Sequence, residues 1–406
     1  MRQITTSTVV AAAATATATV GFVIKVTIIV YFALHKVVSH KIIMDENSTA
    51  NHTITNAIKT TTGAVFDPAW HVLLTVQFYF SYAVITIGCV GTAANATVLY
   101  ALMAHNVREA KKRVINLLII NQNLLDLFCC FLLVISVFIE INNIYLTGIF
   151  GYLLCSIIIN GTATHCVLYG SIINLVALTI ERYLKVVHAI WSKTHLKRWM
   201  IHAAMAFAWI GGIATAAPTS FITARLEEGR CISYYESQNT SMVFGGCTVV
   251  LFFFFPIFIF IYCYWRIVVV IRRQMRVMAG HNVEGSSQMT ASQTQSKRVK
   301  WNIIKTMIVV TVAFVVCWLP INVLNLILMN SEQTIMLAIG YYITVFLVYF
   351  NICMNPFIYA RKHDGVKQQL ARLMVCHKPS DVTDTPGSNS NRDGGKQQTP
   401  IVVTRS

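Results

Sequence analysis

Seven long apolar runs separated by short polar connections decide what this chain can fold into. They cover approximately residues 72–103, 114–139, 141–180, 199–224, 240–265, 306–329 and 334–360. A helix needs roughly 20 apolar residues to cross the hydrocarbon core, and lipid admits only helices or closed barrels because backbone polar groups must pair internally. The runs are far longer than the roughly ten-residue alternating strands of a barrel. They predict an all-α membrane protein, a seven-transmembrane helix bundle. Composition agrees: only 12% of the 406 residues are charged, about half the share of a soluble domain.

The formal net charge of +16 raises nucleic acid as a partner, and the placement of the charge argues against it. Basic residues cluster between alternate runs: Arg108, Lys111, Lys112 and Arg113 in the first connection, Lys185, Lys193, Lys197 and Arg198 in the third, and Arg266, Arg272, Arg273, Arg276, Lys297, Arg298, Lys300 and Lys305 around the fifth. The second and sixth connections carry neither Lys nor Arg, and the fourth sets Arg225 and Arg230 against Glu227, Glu228 and Glu236. Cytoplasmic loops carry the positive excess. The chain is therefore expected to start outside and end inside. Sequons at Asn47, Asn51 and Asn239 fall on the outer side, where glycosylation requires them; Asn95 and Asn160 also match the pattern but lie in apolar runs and read as chance.

Residues 1–43 fit three readings: a signal-like leader, an anchoring helix that starts inside, or an over-extended start with Met44 as the true one. The expectation is that they have no role in the mature protein. Residues 44–71 are expected to form an outer glycosylated tail, 72–361 the bundle, 364–376 a membrane-surface helix with Leu370 and Leu373 on its apolar stripe, and 377–406 a disordered cytoplasmic tail.

Asp126 is the acidic residue deep within a run. A charge at mid-bilayer costs about 2.5–3.5 kcal/mol on insertion scales, so such a residue faces a polar interior. Asn95, Ser171, Asn351 and Asn355 lie at matching depths and could join it in holding a small cation through oxygen ligands. Pro256, Pro320 and Pro356 sit inside late runs, where each removes a backbone hydrogen bond and bends its helix.

Three short motifs then fall in order. Glu181-Arg182-Tyr183 ends the third run, Cys317-Trp318-Leu319-Pro320 lies in the sixth and Asn355-Pro356-Phe357-Ile358-Tyr359 in the seventh. With Asn95, Asp126, Trp209 and Pro256 in the first, second, fourth and fifth runs, they resemble the landmarks of rhodopsin-like (class A) G-protein-coupled receptors, of the neuropeptide-type or orphan kind. The resemblance implies an allosteric sodium ion at Asp126, Ser171, Trp318, Asn351 and Asn355. It implies an activation switch at Ile172, Pro256, Tyr264, Phe314, Trp318, Pro320 and Tyr359, and G-protein coupling through Glu181, Arg182, Tyr183 and Ile190. It pairs Cys155 with Cys231 as a disulfide and makes Cys376 a palmitoylation site. Heterotrimeric G protein, arrestin and receptor kinases at the tail, membrane lipids and an extracellular ligand are the implied partners, at the plasma membrane.

The chain departs from that pattern in two places. Cys155 lies about two residues farther from Arg182 than is usual, while Ser171 and Ile172 keep their spacing, so the extra length belongs between Cys155 and Ser171, as a bulge or a lifted disulfide. Lys300 stands where some relatives carry an acid that locks onto the arginine. The third run lacks the aspartate that pairs with amines, and the seventh lacks the lysine that holds retinal. The outer halves carry Glu140, Thr164, His165, Asn322, Asn325, Tyr341, Tyr342 and Tyr349 as candidate ligand contacts, a mixed polar and aromatic set that suits a peptide, with a lipid or small polar ligand as the alternative. A seven-helix enzyme would need clustered metal ligands, yet the histidines are mostly in loops; a transporter would show internal repeats. Catalysis is not expected.

Overall fold

The computed structural model describes residues 68–108, 117–142, 144–281, 291–328 and 335–362, and side chains within 71–104, 117–142, 144–274, 304–328 and 336–360. Segments 1–43 and 377–406, the surface helix at 364–376, Asn47, Asn51, Cys376 and the side chain of Lys300 lie outside the described residues.

Among the described residues, seven helical spans follow one another: His71–Ala104, Leu117–Ile141, Gly148–Val187, Arg198–Thr223, Gln238–Gln274, Ile304–Leu328 and Met336–Ala360. The third packs against the second, fourth and fifth, while the first lies against the second and seventh, and the sixth against the seventh. Large apolar side chains such as Phe78, Phe131, Phe138, Phe207 and Phe258 are exposed around the outside, as a surface solvated by lipid tails requires and a water-facing one would not tolerate.

The expected run 141–180 needs correction. The second span ends at Ile141 and the third begins at Gly148. The connection reads as apolar because it is covered: Leu146 is buried with Cys155 and Ala224, and its N–H donates to the Gly229 carbonyl at 3.0 Å.

That cover is a β-hairpin the sequence did not announce. Strand β1 (Ala224–Glu227) pairs antiparallel with β2 (Arg230–Ser233), with Leu226 opposite Cys231. The turn residues Glu228 and Gly229 have φ of 48° and 77°, the left-handed pair that matches strand twist in a two-residue turn. The Cys155–Cys231 disulfide closes the hairpin onto the outer end of the third span.

The extra length in the third span appears as a bulge. Cys155–Ile159 forms a widened π turn, in which the Asn160 N–H reaches the Cys155 carbonyl at 2.8 Å. Gly161, at φ 74°, then breaks the rod. A fresh helix starts at Thr162, with the His165 N–H on the Gly161 carbonyl at 2.8 Å. Asn160 ties the break to the fourth span, donating to the Ser220 carbonyl at 3.1 Å and to Thr223 Oγ1 at 3.0 Å. A second π turn, Val250–Phe254, precedes Pro256. Proline cannot supply the N–H that the Phe252 carbonyl would otherwise accept, and its ring crowds that carbonyl; the ladder shifts by one residue, and the Phe255 N–H bonds the Val250 carbonyl.

Candidate functional site

Asp126 is fully buried where the second, third and seventh spans meet. Its Oδ1 accepts from Ser171 Oγ at 2.8 Å and from Gln122 Nε2 at 3.2 Å; its Oδ2 accepts from Asn355 Nδ2 at 2.8 Å. Beside it lies a small void lined by Gln122, Ser171, Phe314, Trp318, Asn351 and Asn355, room for about one water-sized particle. The structure thus brings together Asp126, Ser171, Trp318, Asn351 and Asn355, but not Asn95, the other residue expected to join the cation set, whose amide turns to the Gly91 carbonyl of its own helix. Asn351 Oδ1 and Asn355 Oδ1 are buried and have no hydrogen-bond partner among the described residues. Two unclaimed amide oxygens, a hydroxyl and a carboxylate make a hard, all-oxygen donor set, which fits a small hard cation.

An aromatic and aliphatic stack forms one wall of this void. Trp318 and Phe314 have ring centroids 5.5 Å apart, and Phe314 meets Phe260 edge-on at 5.8 Å. Ile172 lines the same void, and Pro256 is buried on the fifth span. Pro320 lies inside the sixth helix, two residues beyond Trp318. The indole N–H of Trp318 finds no acceptor among the described residues, so the ring is held by packing alone.

At the inner end, Glu181 and Arg182 are both buried. Arg182 Nε lies 3.2 Å from Glu181 Oε2, and Lys185 bonds the other carboxylate oxygen. Tyr264 shares hydrogen bonds of 3.3 Å with Thr179 and with Thr311, linking the third, fifth and sixth spans. The hydroxyl of Tyr359 is fully buried without a partner among the described residues. Arg182 and Tyr264 both lie within electrostatic reach of Tyr359. Tyr183 bonds His188 at 3.2 Å, and Ile190, on the short helix Ala189–His195, is 85% exposed.

The candidate ligand residues divide into groups. Glu140 is exposed, accepts from Gln77 Nε2 at 3.1 Å, and lies within electrostatic reach of Tyr342 and Tyr349. Tyr342 packs on Phe80, with centroids 5.0 Å apart. On the third span, Thr164 is buried, and His165 bonds back to the Gly161 carbonyl through Nδ1 at 2.8 Å. Asn322 is buried and donates to the Trp318 carbonyl of its own helix at 2.7 Å. Asn325, one turn outward, is half-buried. Asn239 is exposed in the first turn of its helix, at the outer end. Asn95 is wholly buried and donates to the Gly91 carbonyl, which leaves no surface for a sugar there.

Sequence reasoning passed over Asn121, Gln122 and Asn174, all at most 1% exposed. The signal was legible: three consecutive amides, Asn121-Gln122-Asn123, one helical turn before the buried acid.

The family model of the 7 transmembrane receptor (rhodopsin family) matches residues 94–359. Somatostatin receptor type 5 of Rattus norvegicus is 27% identical over 78% of this chain and 83% of its own length. Melatonin receptor type 1B of Homo sapiens is 24% identical over 58% of this chain and 63% of that receptor. Melanopsin-A of Gadus morhua is 26% identical over 79% of this chain, which spans 57% of that protein. The seven spans, the disulfide and a family match over more than half of the sequence lead to one conclusion: the chain belongs to the rhodopsin family of seven-transmembrane, G-protein-coupled receptors, a multi-pass membrane protein and not an enzyme.

Proposed function

We propose that the chain is a plasma-membrane receptor, amino terminus outside, that binds an extracellular peptide and activates a heterotrimeric G protein by outward movement of the sixth helix. One observation carries this reading: Arg182 lies against Glu181 of its own helix, and Ile190 stands highly exposed on the short helix that follows. A buried cation paired to its chain neighbour can change partners as helices part, and an exposed isoleucine gains by insertion into a partner's apolar cleft.

The mechanism is a population shift. An outside ligand that binds the open-inside form better moves the equilibrium by that difference in affinity and no more. Pressure at Trp318 repacks Ile172 and Phe314, and the sixth helix pivots at Pro320. Opening frees Arg182, Tyr264 and Tyr359 to engage one another and the G protein. Asp126, Ser171, Trp318, Asn351 and Asn355 would hold an allosteric sodium ion, whose chemistry is to neutralise the buried carboxylate. Arrestin and receptor kinases would act on the tail, and Cys376 would anchor it to lipid.

For the ligand, exposed Glu140 beside the tyrosines of the seventh span supports a peptide with a basic group, in line with the somatostatin receptor among the relatives. The melatonin receptors favour a small indole as the second reading. Cells expressing the chain, challenged with a peptide library and with melatonin under an arrestin-recruitment readout, test both. A response to melatonin with none to any peptide would replace the first by the second.

A further inference from the structure

The buried amides around Asp126 form a chain in which every donor points the same way. Trp209 Nε1 of the fourth span donates to Asn121 Oδ1 of the second at 3.1 Å. Asn121 Nδ2 donates to Asn174 Oδ1 of the third at 2.9 Å. Asn174 Nδ2 donates to Gln122 Oε1, back on the second span, at 2.8 Å, and also to the Leu118 carbonyl at 2.9 Å. Gln122 Nε2 ends the chain on Asp126, 3.2 Å from Oδ1 and 3.5 Å from Oδ2, and touches Ser171 Oγ as well. Aligned hydrogen bonds polarise one another, and a low dielectric strengthens each. The last donor is thus better than an isolated amide. It meets the same carboxylate and hydroxyl oxygens that a cation would need.

We propose that Gln122, aligned by Asn174, Asn121 and Trp209, is a built-in neutral competitor for the cation site, so that sodium binds Asp126 only by displacing the Gln122 amide. The inference rests on the cation reading of Asp126 given above. Gln122 lines the void, and its side chain is 1% exposed, so it cannot swing out to solvent. It leaves the carboxylate by giving up the Asn174 bond. Sodium affinity is set by that exchange, and is weaker than the oxygen set alone would provide.

The test is the thermal unfolding midpoint of the purified full-length receptor, titrated with sodium chloride against N-methylglucamine chloride at constant ionic strength. Binding to the folded state raises the midpoint by mass action. Gln122→Met, an unbranched replacement of similar size, should reach half of its sodium-dependent rise at a roughly tenfold lower concentration, the worth of one hydrogen bond to a charged group. Asn174→Ala, which unlatches Gln122 without touching Asp126, should shift the titration in the same direction by about threefold. It also carries the test if Gln122→Met does not fold. Asp126→Asn should show no sodium-dependent rise. A titration midpoint in Gln122→Met or Asn174→Ala equal to or above that of the wild type overturns the competition and leaves the cation site standing. No sodium-dependent rise in the wild type or in either variant removes the cation site, and the proposal with it.

Discussion

Replacing Gly212 by alanine should loosen the receptor, while the same change one residue earlier should not. The third and fourth spans meet backbone to backbone at Gly212. A Cβ placed there would overlap the Cys166 carbonyl oxygen and lie 2.9 Å from the Gly170 nitrogen. Neither atom can move without its helix. Favourable contact needs about 3.5–4.0 Å between carbon atoms, so the spans would have to part by roughly 1 Å. Overpacking of this kind costs about 1–3 kcal/mol, or a fall in unfolding midpoint of about 1–4 °C at roughly 2.1 cal/mol/K of unfolding entropy per residue. At Gly211 the new Cβ would meet only the tip of Ile173, at 2.8 Å from Cδ1. A rotamer change relieves that, and alanine returns about 1 kcal/mol of helix propensity; the midpoint should stay within about 1 °C. Gly246, with nothing within 4 Å of its added Cβ, is the control. The buried thiols Cys129, Cys130 and Cys317 supply the assay, since a thiol-reactive dye reports their exposure as the detergent-solubilised protein melts. Equal melting of Gly211→Ala and Gly212→Ala would refute the argument that backbone contact fixes this pair of helices.

Three further outcomes follow from the same geometry. Cys155→Ser opens the disulfide across a sequence separation of 76, and should cost about 4 kcal/mol on a chain-entropy estimate, seen as reduced surface expression and a lower unfolding midpoint. Arg182→Ala should preserve surface expression and abolish ligand-stimulated nucleotide exchange on purified G protein; intact exchange would count against the inner switch. Ile190→Asp, at a position that is 85% exposed, should leave stability within about 0.5 kcal/mol of the wild type while lowering exchange at least severalfold.

The seven spans were legible because length and charge alternation are one-dimensional signals, and the lipid leaves a long apolar run few alternatives. The grouping of Asp126 with Ser171, Asn351 and Asn355 was legible in part, since polar residues deep in apolar runs seek one another, but Asn95, expected with them, satisfies its amide on its own helix instead. The β-hairpin was not. Ala224–Ser233 mixes charged and apolar residues around Glu228-Gly229, a weak strand pattern, and its order comes from Leu146, Tyr145 and the disulfide, all distant in sequence. Those same contacts make residues 144–146 apolar, and so disguised a loop as the start of a helix. The amide chain was missed for a different reason: Asn121 and Asn174 look like scattered polar residues until the spans are packed, and only then do their donors line up.

The π turn and break at 155–161 have a geometric consequence for everything beneath them. In an unbroken helix each residue turns the face by about 100°, so two extra residues would swing the lower third span through about 200°. Ser171 would then look out at lipid, away from Asp126, and Arg182 would rotate with it. Because the surplus is spooled into one wide turn and cut off at Gly161, the angular setting of the remaining rod is untouched. An irregularity near the outer surface is thus what keeps the buried half of the molecule in phase.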